Sequence, residues 1–255
     1  MHNFFIAPEA ISDNQAVLTG DEARHLRAVL RLTAGQEIGL FDGTGKTYRA
    51  RIREVGKGRT TCQIIAEQVD QPTGPALHLG QALLTGQKMD LLIQKATELG
   101  IRTIHPFHAQ RCTMRQEADK KTGRWQRIAL EACKQCNRPT PPQIRPVVDL
   151  PGLLARETDL QLKLIFWEGE TERTIDDLLN LPNQSAPPES VIFLIGPEGG
   201  FTEQEVTAAV AAGYRPISLG RLTLRAETAS LAAMAILQHR LGNLHPQPNH
   251  EAPKP

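Results

Sequence analysis

Two short segments concentrate the residue types that build a small-molecule site. One is Ile195-Gly196-Pro197-Glu198-Gly199-Gly200-Phe201-Thr202. The other is Ser218-Leu219-Gly220-Arg221-Leu222-Thr223-Leu224-Arg225-Ala226-Glu227-Thr228-Ala229. Each follows an apolar run that reads as a strand and precedes a helical pattern. Loops that leave the carboxyl ends of parallel strands open onto the crevice where open α/β sheets bind ligands. Glycines let such a loop turn sharply and let its backbone approach a ligand closely. The spacing is not G-x-G-x-x-G, so a dinucleotide fingerprint is absent. The residues alone place a small-molecule site near 194–228, against the plainer reading of two ordinary turns with capped helices.

Other patterns point to chemistry less well. Gly45-Lys46-Thr47 imitates the end of a phosphate-binding loop. That motif needs a glycine at position 40, which is Leu40, and a following helix where 48–55 reads as a strand. A hairpin turn on Asp42-Gly43-Thr44-Gly45 is expected instead. Cys133 and Cys136 form a C-x-x-C pair, with His105, His108 and Cys112 upstream. No second close pair completes a standard zinc set, so thiols on a helix and no metal are expected. Residues 111–138 hold eight Lys or Arg against three acids. Such a stretch suits phosphate contacts or a solvated helix face. Arg49, Arg51 and Arg53 alternate and would share one face of a strand.

These segments need a scaffold, and the rest of the chain describes one. Its 255 residues leave room for two domains. Hydrophobic residues make up 40% and charged ones 22%, as in a folded domain, but only 4% are aromatic, so Leu, Val, Ile and Ala must fill the core. The net charge of +1 means that any RNA-binding surface is a local patch. Four cysteines, no cationic and apolar leader and no apolar run near the roughly 18 residues of a membrane span lead to the expectation of a reduced, cytoplasmic protein.

Residues 1 to about 70 read as β-rich, a small barrel or sandwich. A short helix opens at Gly20-Asp21-Glu22, with an apolar stripe at Leu26, Val29 and Leu30. Strands are expected at 37–41, 48–55 and 60–67. Gln71-Pro72-Thr73-Gly74-Pro75 is the expected boundary, which puts domains at 1–72 and 73–245. Strand and helix then alternate. Strands are expected at 77–84, 101–107, 162–167, 191–195 and 217–219, and helices at 89–99, 119–136, 202–212 and 227–241. This order implies a mostly parallel sheet covered on both faces. Thr202-Glu203-Gln204-Glu205 is a capping box. A loop is expected at 181–189 and a disordered tail at 246–255.

The Gly-Pro-Glu-Gly-Gly and Leu-Arg-Ala-Glu-Thr segments together resemble the signature of the RsmE family of SPOUT RNA methyltransferases. The resemblance covers nearly the whole chain. His25-Leu26-Arg27-Ala28-Val29-Leu30-Arg31 and Phe41-Asp42-Gly43 resemble the family's PUA-like RNA-binding domain. Lys88-Met89-Asp90 with Gln94-Lys95-Ala96-Thr97-Glu98-Leu99-Gly100 resembles its first knot-domain helix. Trp125, Glu131-Ala132, Gln135 and Arg138-Pro139 resemble its central helix. Cys136 and Thr223 depart slightly from the usual residues, and neither would abolish cofactor binding.

The resemblance implies an α/β fold, with a C-terminal SPOUT trefoil-knot domain and an N-terminal PUA-like β-barrel. It implies a homodimer with S-adenosyl-L-methionine bound in the knot beside the partner subunit. The implied reaction is methylation of uridine N3 in 16S ribosomal RNA, naked or within the small subunit. Cofactor contacts are expected from Leu194, Gly196, Gly199, Ile217, Leu219, Gly220 and Leu224. RNA contacts are expected from Arg24, Arg27, Arg31, Arg111, Arg124, Arg127 and Arg138. In the implied chemistry Arg225 would stabilise a uracil anion, and Glu198 and Glu227 are candidate bases or structural carboxylates. Alternatives are a SPOUT enzyme acting on another RNA or on a ribose 2′-oxygen, or a non-catalytic RNA-binding assembly factor.

Overall fold

The computed structural model describes residues 1–70, 74–113, 121–156, 159–179 and 188–245. The expected boundary at 71–75 and the loop at 181–189 fall largely outside them. The tail at 246–255 and the basic residues Arg115 and Lys120 fall wholly outside. The chain forms two compact units. One comprises Met1–Pro72 and Leu130–Pro141, and the other Thr73–Ala129 and Pro142–Pro246.

The smaller unit is a six-stranded sheet of β1 (Asn3–Phe5), β2 (Ile11–Ser12), β3 (Gln15–Thr19), β4 (Glu37–Phe41), β5 (Lys46–Val55) and β6 (Arg59–Val69). The order is β1-β4-β5-β6-β3-β2, with every pair antiparallel except β1 and β4. The first three strands span five residues or fewer, too short for a readable alternation. Along β5, Tyr48, Ala50 and Ile52 are buried, while Arg49, Arg51 and Arg53 face outward. Two register shifts between β5 and β6 bend the sheet around Phe4, Ile6, Leu18, Ile38, Leu40 and Ile52.

Asp42-Gly43-Thr44-Gly45 is the hairpin turn between β4 and β5, as expected, and Lys46 and Thr47 open β5. The Asp42 carboxylate accepts the amide and hydroxyl of Thr44, both at 2.8 Å. The short helix α1 (Gly20–Arg24) widens into a π turn over His25–Val29, in which the Leu30 amide donates to the His25 carbonyl at 3.0 Å. Leu26 is buried, but Val29 is 68% exposed. The wider turn breaks the helical period, so the expected stripe loses Val29.

The larger unit alternates strand and helix: β7 (Ala76–Ala82), α2 (Lys88–Glu98), β8 (Thr103–His108), α3 (Thr122–Cys136), β9 (Gln143–Ile144), β10 (Val148–Asp149), α4 (Leu150–Arg156), β11 (Leu162–Phe166), α5 (Ile175–Leu179), β12 (Ser190–Ile195), α6 (Glu203–Ala211), β13 (Arg215–Ile217) and α7 (Ala226–Arg240). The latter half of α3 belongs to the smaller unit. The sheet is parallel, in the order β10-β8-β7-β12-β11-β13, with β9 also beside β8. Its central strands are apolar because both faces are covered. Leu79, Ile104, Leu164, Ile192 and Phe193 are wholly buried.

The last strand runs over Arg215–Ile217 and stops short of Leu219, which lies in the following loop. The short helices α4 and α5 carry no long period and escaped the sequence reading. From edge strand β13 the chain returns to its start. Ser230 on α7 donates to the Gln81 side chain on β7 at 2.7 Å, and Asn243 donates to the Pro75 carbonyl at 3.0 Å. Gln238 donates to the Leu99 carbonyl at the end of α2.

His78 on β7 and His105 on β8 lie with ring centroids 6.2 Å apart. Burial first, then the neighbouring His78 and Arg145, pushes His105 down to about 3. Burial, with Arg102 and Arg145, lowers His78. Both rings are therefore neutral in the folded sheet near neutral pH. The unfolded chain takes up protons below about pH 6.5, where the folded chain does not. Stability is full above that value and falls with acidification, by about 1.4 kcal/mol per pH unit for one fully linked group. Urea midpoints between pH 6.5 and 5 should fall more steeply for the wild type than for His105→Gln. Parallel slopes would remove His105 from acid sensitivity.

Candidate active site

Strands β12, β11 and β13 are consecutive in the sheet, so their carboxyl ends share one edge. The loops leaving them enclose a cavity of about 260 Å³. From β11 come Phe166, Trp167 and Glu168. From β12 come Ile195 to Phe201. From the β13–α7 connection come Ser218 to Leu224, and α7 adds Ala226 and Ala229. Leu222 stands 71% exposed at the mouth.

The glycine loop is held from several sides. A Cβ on Gly196 would sit 3.2 Å from the Phe201 ring, and Gly200 has φ +68°. The Gly200 amide closes a turn on the Pro197 carbonyl at 2.9 Å. Thr202 and Glu205 form the expected capping box at the start of α6. The same Glu205 carboxylate accepts the Gln110 amide at 2.7 Å. Arg111 donates to the Gly199 carbonyl at 2.8 Å. Opposite, the Gly220 amide donates to the Ser218 hydroxyl at 3.1 Å, and Gly220 has φ +107°.

Glu198 is tied down. One carboxylate oxygen accepts the Thr85 amide at 3.0 Å, the Thr85 hydroxyl at 2.7 Å and the Lys88 ammonium at 3.0 Å. Burial pushes its carboxyl up, but these donors outweigh burial and hold it at about 2. Lys88 also approaches Glu227, at 3.7 Å. Arg225 is the N-cap residue of α7, is exposed, and makes none of the ion pairs among the described residues.

Of the expected cofactor contacts, Gly196, Gly199, Leu219, Gly220 and Leu224 line the cavity. Leu194 and Ile217 do not. Both are fully buried in the strand ends beneath it, because the cavity begins only where the strands stop. Sequence reading missed the wall at 166–168 and the Thr85–Lys88 clamp. The clamp's one available signal was a lysine at the first position of a helix, where the positive helix end disfavours a cation.

The expected RNA-contacting arginines fall into two groups. Arg24, Arg27 and Arg31 are exposed on α1 and the turn after it, with Arg24 paired to Asp21 at 2.8 Å. In the basic segment, Arg111 bonds the glycine loop and Arg124 pairs with Asp90 at 2.6 Å. Lys134 is held between Glu22 and Glu131. Arg127 is exposed, and Arg138 is half-buried. The segment's excess charge is thus partly neutralised within the fold. Burial pushes the Cys133 thiol up to about 12, and it sits in helix α3. Among the described residues no three His, Cys, Asp or Glu gather as a metal site, and no helix is long and apolar enough to cross a membrane.

The larger unit, with its parallel sheet and this cavity, has the α/β fold of the SPOUT class of RNA-modifying enzymes. Residues 71–238 match the RNA methyltransferase domain family, and residues 18–65 match the RNA methyltransferase PUA domain family. The ribosomal RNA small subunit methyltransferase E of Aquifex aeolicus is 32% identical, over 94% of this chain and 100% of its own. The crystal structure of the same enzyme from Neisseria gonorrhoeae, bound to S-adenosyl methionine, is 35% identical, with a TM-score of 0.82 over 94% of this chain and 97% of that one. A methyltransferase from Legionella pneumophila, solved with bound S-adenosylmethionine, is 32% identical, with a TM-score of 0.82 over 93% and 96%. The chain belongs to the ribosomal RNA small subunit methyltransferase E family.

Proposed function

We propose that the protein methylates N3 of one uridine in 16S ribosomal RNA, with S-adenosyl-L-methionine as donor. The observation that carries this reading is the convergence of the Gly-Pro-Glu-Gly-Gly loop and the Leu-Arg-Ala-Glu-Thr segment at one cavity in a chain of this family. The cavity suits an adenosyl group. Ile195, Leu219, Leu224 and Ala226 make its apolar walls, and glycine backbone stands exposed between them. Gly196, Gly199, Leu219, Gly220 and Leu224 would hold the cofactor, with Leu194 and Ile217 fixing the strand ends below. Bound there, it supplies an activated methyl group.

The protein's own task is to align the base and manage the charge that forms on it. Uracil N3 carries a proton that must leave, and the resulting negative charge spreads to the ring carbonyls. Arg225 cannot act as a base, because guanidinium stays charged. It stands exposed at the start of α7, between the cavity-lining Leu224 and Ala226 and without an ion pair among the described residues, and can donate to that charge. Glu198 has three donors on one oxygen and a carboxyl held at about 2, so it braces the loop and is a poor proton acceptor. The other carboxylates at hand are Glu168, in the cavity wall, and Glu227, in the first turn of α7.

Residues 1–72, the main part of the smaller unit, serve as the PUA-like RNA-binding domain, and 73–245 as the methyltransferase domain. Arg24, Arg27 and Arg31 of the first contact RNA phosphates, with Arg127 and Arg138 as further contacts. Arg111 and Arg124 contribute only if their internal bonds open. The enzyme acts in the cytoplasm on ribosomal RNA, within the small subunit or before its assembly. It works as a homodimer. Leu91 on α2 and Ile236 on α7, two helices that pack together, are each 42% exposed and supply apolar contact area.

Mass-spectrometric mapping of 16S ribosomal RNA from a deletion strain should show one uridine losing its N3 methyl group, restored by the wild-type gene. An unchanged methylation map would refute the substrate. In single-turnover assays Arg225→Ala should be about a hundredfold slower or more, with cofactor affinity unchanged. A near-normal rate removes Arg225 from the mechanism. Arg27→Glu with Arg31→Glu should weaken RNA binding and flatten its salt dependence while cofactor binding persists. An unaltered salt slope would make those arginines mere surface. Light scattering at micromolar concentration should give twice the chain mass, and a monomer mass contradicts the dimer.

A further inference from the structure

Lys88 sits at an electrostatically awkward place. It is the first residue of α2, where the helix dipole is positive and a cation is disfavoured. Two carboxylates from elsewhere in the fold offset that cost. Its ammonium lies 3.0 Å from Glu198 in the glycine loop and 3.7 Å from Glu227 in the first turn of α7. Its third neighbour in charge is Arg225, whose positive field opposes the protonated form of Lys88. Arg225, two residues before Glu227 at the start of α7, is thus within electrostatic reach of Lys88. The lysine hydrogen-bonds Glu198 and is the ion-pair neighbour of Glu227, whose buried Oε2 has no hydrogen-bond partner, and the arginine forms no ion pair among the described residues.

We infer that Lys88 is a positioning residue of the methyl-transfer site, engaging Glu198 and Glu227 so that Arg225 stays unpaired and available to the substrate anion. The inference rests on the reading of Arg225 given above. An arginine beside two uncompensated, part-buried carboxylates would pair with one of them, and a paired guanidinium is a weaker donor to a developing oxyanion. Lys88 also joins three segments that meet nowhere else in the sequence: the β7–α2 turn through Thr85, the glycine loop through Glu198, and the start of α7 through Glu227. Glu198 keeps two bonds from Thr85 when the lysine is removed, so the loop retains its main anchor.

The test is a double-mutant cycle in the full-length enzyme, with single-turnover rate, cofactor affinity by calorimetry and melting temperature for every variant. Lys88→Met should slow methylation about tenfold or more and change cofactor affinity little. Lys88→Arg, which keeps the charge, should recover most of the rate. In the Arg225→Ala background Lys88→Met should cause no further loss, because its effect runs through Arg225. Lys88→Gln reads the same if the methionine variant does not fold. Multiplicative losses in the double mutant, or parallel losses of rate, affinity and melting temperature in Lys88→Met, would make Lys88 a brace of the fold and overturn the inference. A slow Arg225→Ala with a normal Lys88→Met overturns it alone. A normal Arg225→Ala instead withdraws the reading beneath it.

Discussion

Ser230 donates its hydroxyl to the side chain of Gln81, and both groups are wholly buried although 149 residues separate them in sequence. A buried amide without partners is costly, so this pair fixes where α7 must lie. Gln238 to the Leu99 carbonyl and Asn243 to the Pro75 carbonyl repeat the constraint further along. Together they tie the last helix to the first strand and helix of the same unit. The β13–α7 connection has no freedom to swing away, because its far end is anchored across the sheet. It must cross the carboxyl ends of β11 and β12, and there it closes the cavity against the glycine loop. The site is thus a consequence of the chain's return path.

Charge at the site follows the same path. The start of α7 brings Glu227 and Arg225 toward a glycine loop that already carries Glu198 and toward a helix that begins with Lys88. Glu198 and Glu227 both lie within reach of Lys88, while Arg225 stands exposed at the start of α7. Lys88 takes the acids by proximity, and Thr85 adds two neutral donors to Glu198. The result is a site in which Glu198 is fully engaged, Glu227 has only a longer ion pair to Lys88 and a buried Oε2 without a hydrogen-bond partner, and Arg225 makes no ion pair among the described residues. Such a distribution suits a reaction in which negative charge appears on the substrate. Glu198, held at about 2 by its donors, differs from a proton acceptor poised near neutral pH.

Much of this was legible in the sequence, for identifiable reasons. The buried parallel strands are near-continuous apolar runs, and the helices between them keep a clear period, so their order and most of their bounds could be read. The capping box at Thr202 and the turn at Asp42 rest on local chemistry and formed as expected. What failed was whatever depended on distant partners or short elements. Phe166, Trp167 and Glu168 wall the cavity only because β11 lies between β12 and β13, an order that sequence does not display. Lys88 looked like the start of an ordinary helix. Val29 looked inward until the π turn carried it out. Leu194 and Ile217 lie buried beneath the cavity lining, and a fully apolar strand end gives no sign in the sequence of where burial stops.

The basic segment shows why counting charges along a chain misleads. In residues 111–138 the excess of lysine and arginine suggested a field for phosphates, yet Arg111 bonds a carbonyl, Arg124 pairs with Asp90 and Lys134 bridges two glutamates. On β5, Arg51 pairs with Glu37 at 2.8 Å, which leaves Arg53 as the outward cation of that strand without an ion pair among the described residues. In a chain of net charge +1, long-range attraction to RNA is weak. Each phosphate neutralised contributes a salt-dependence slope of only about 0.7 to 0.9 in logarithmic units. A handful of exposed arginines such as Arg27 and Arg31 therefore gives modest nonspecific affinity. Discrimination must then come from the shape of the RNA and from how the base fits beside Arg225, a division expected of an enzyme that modifies one position among many similar ones.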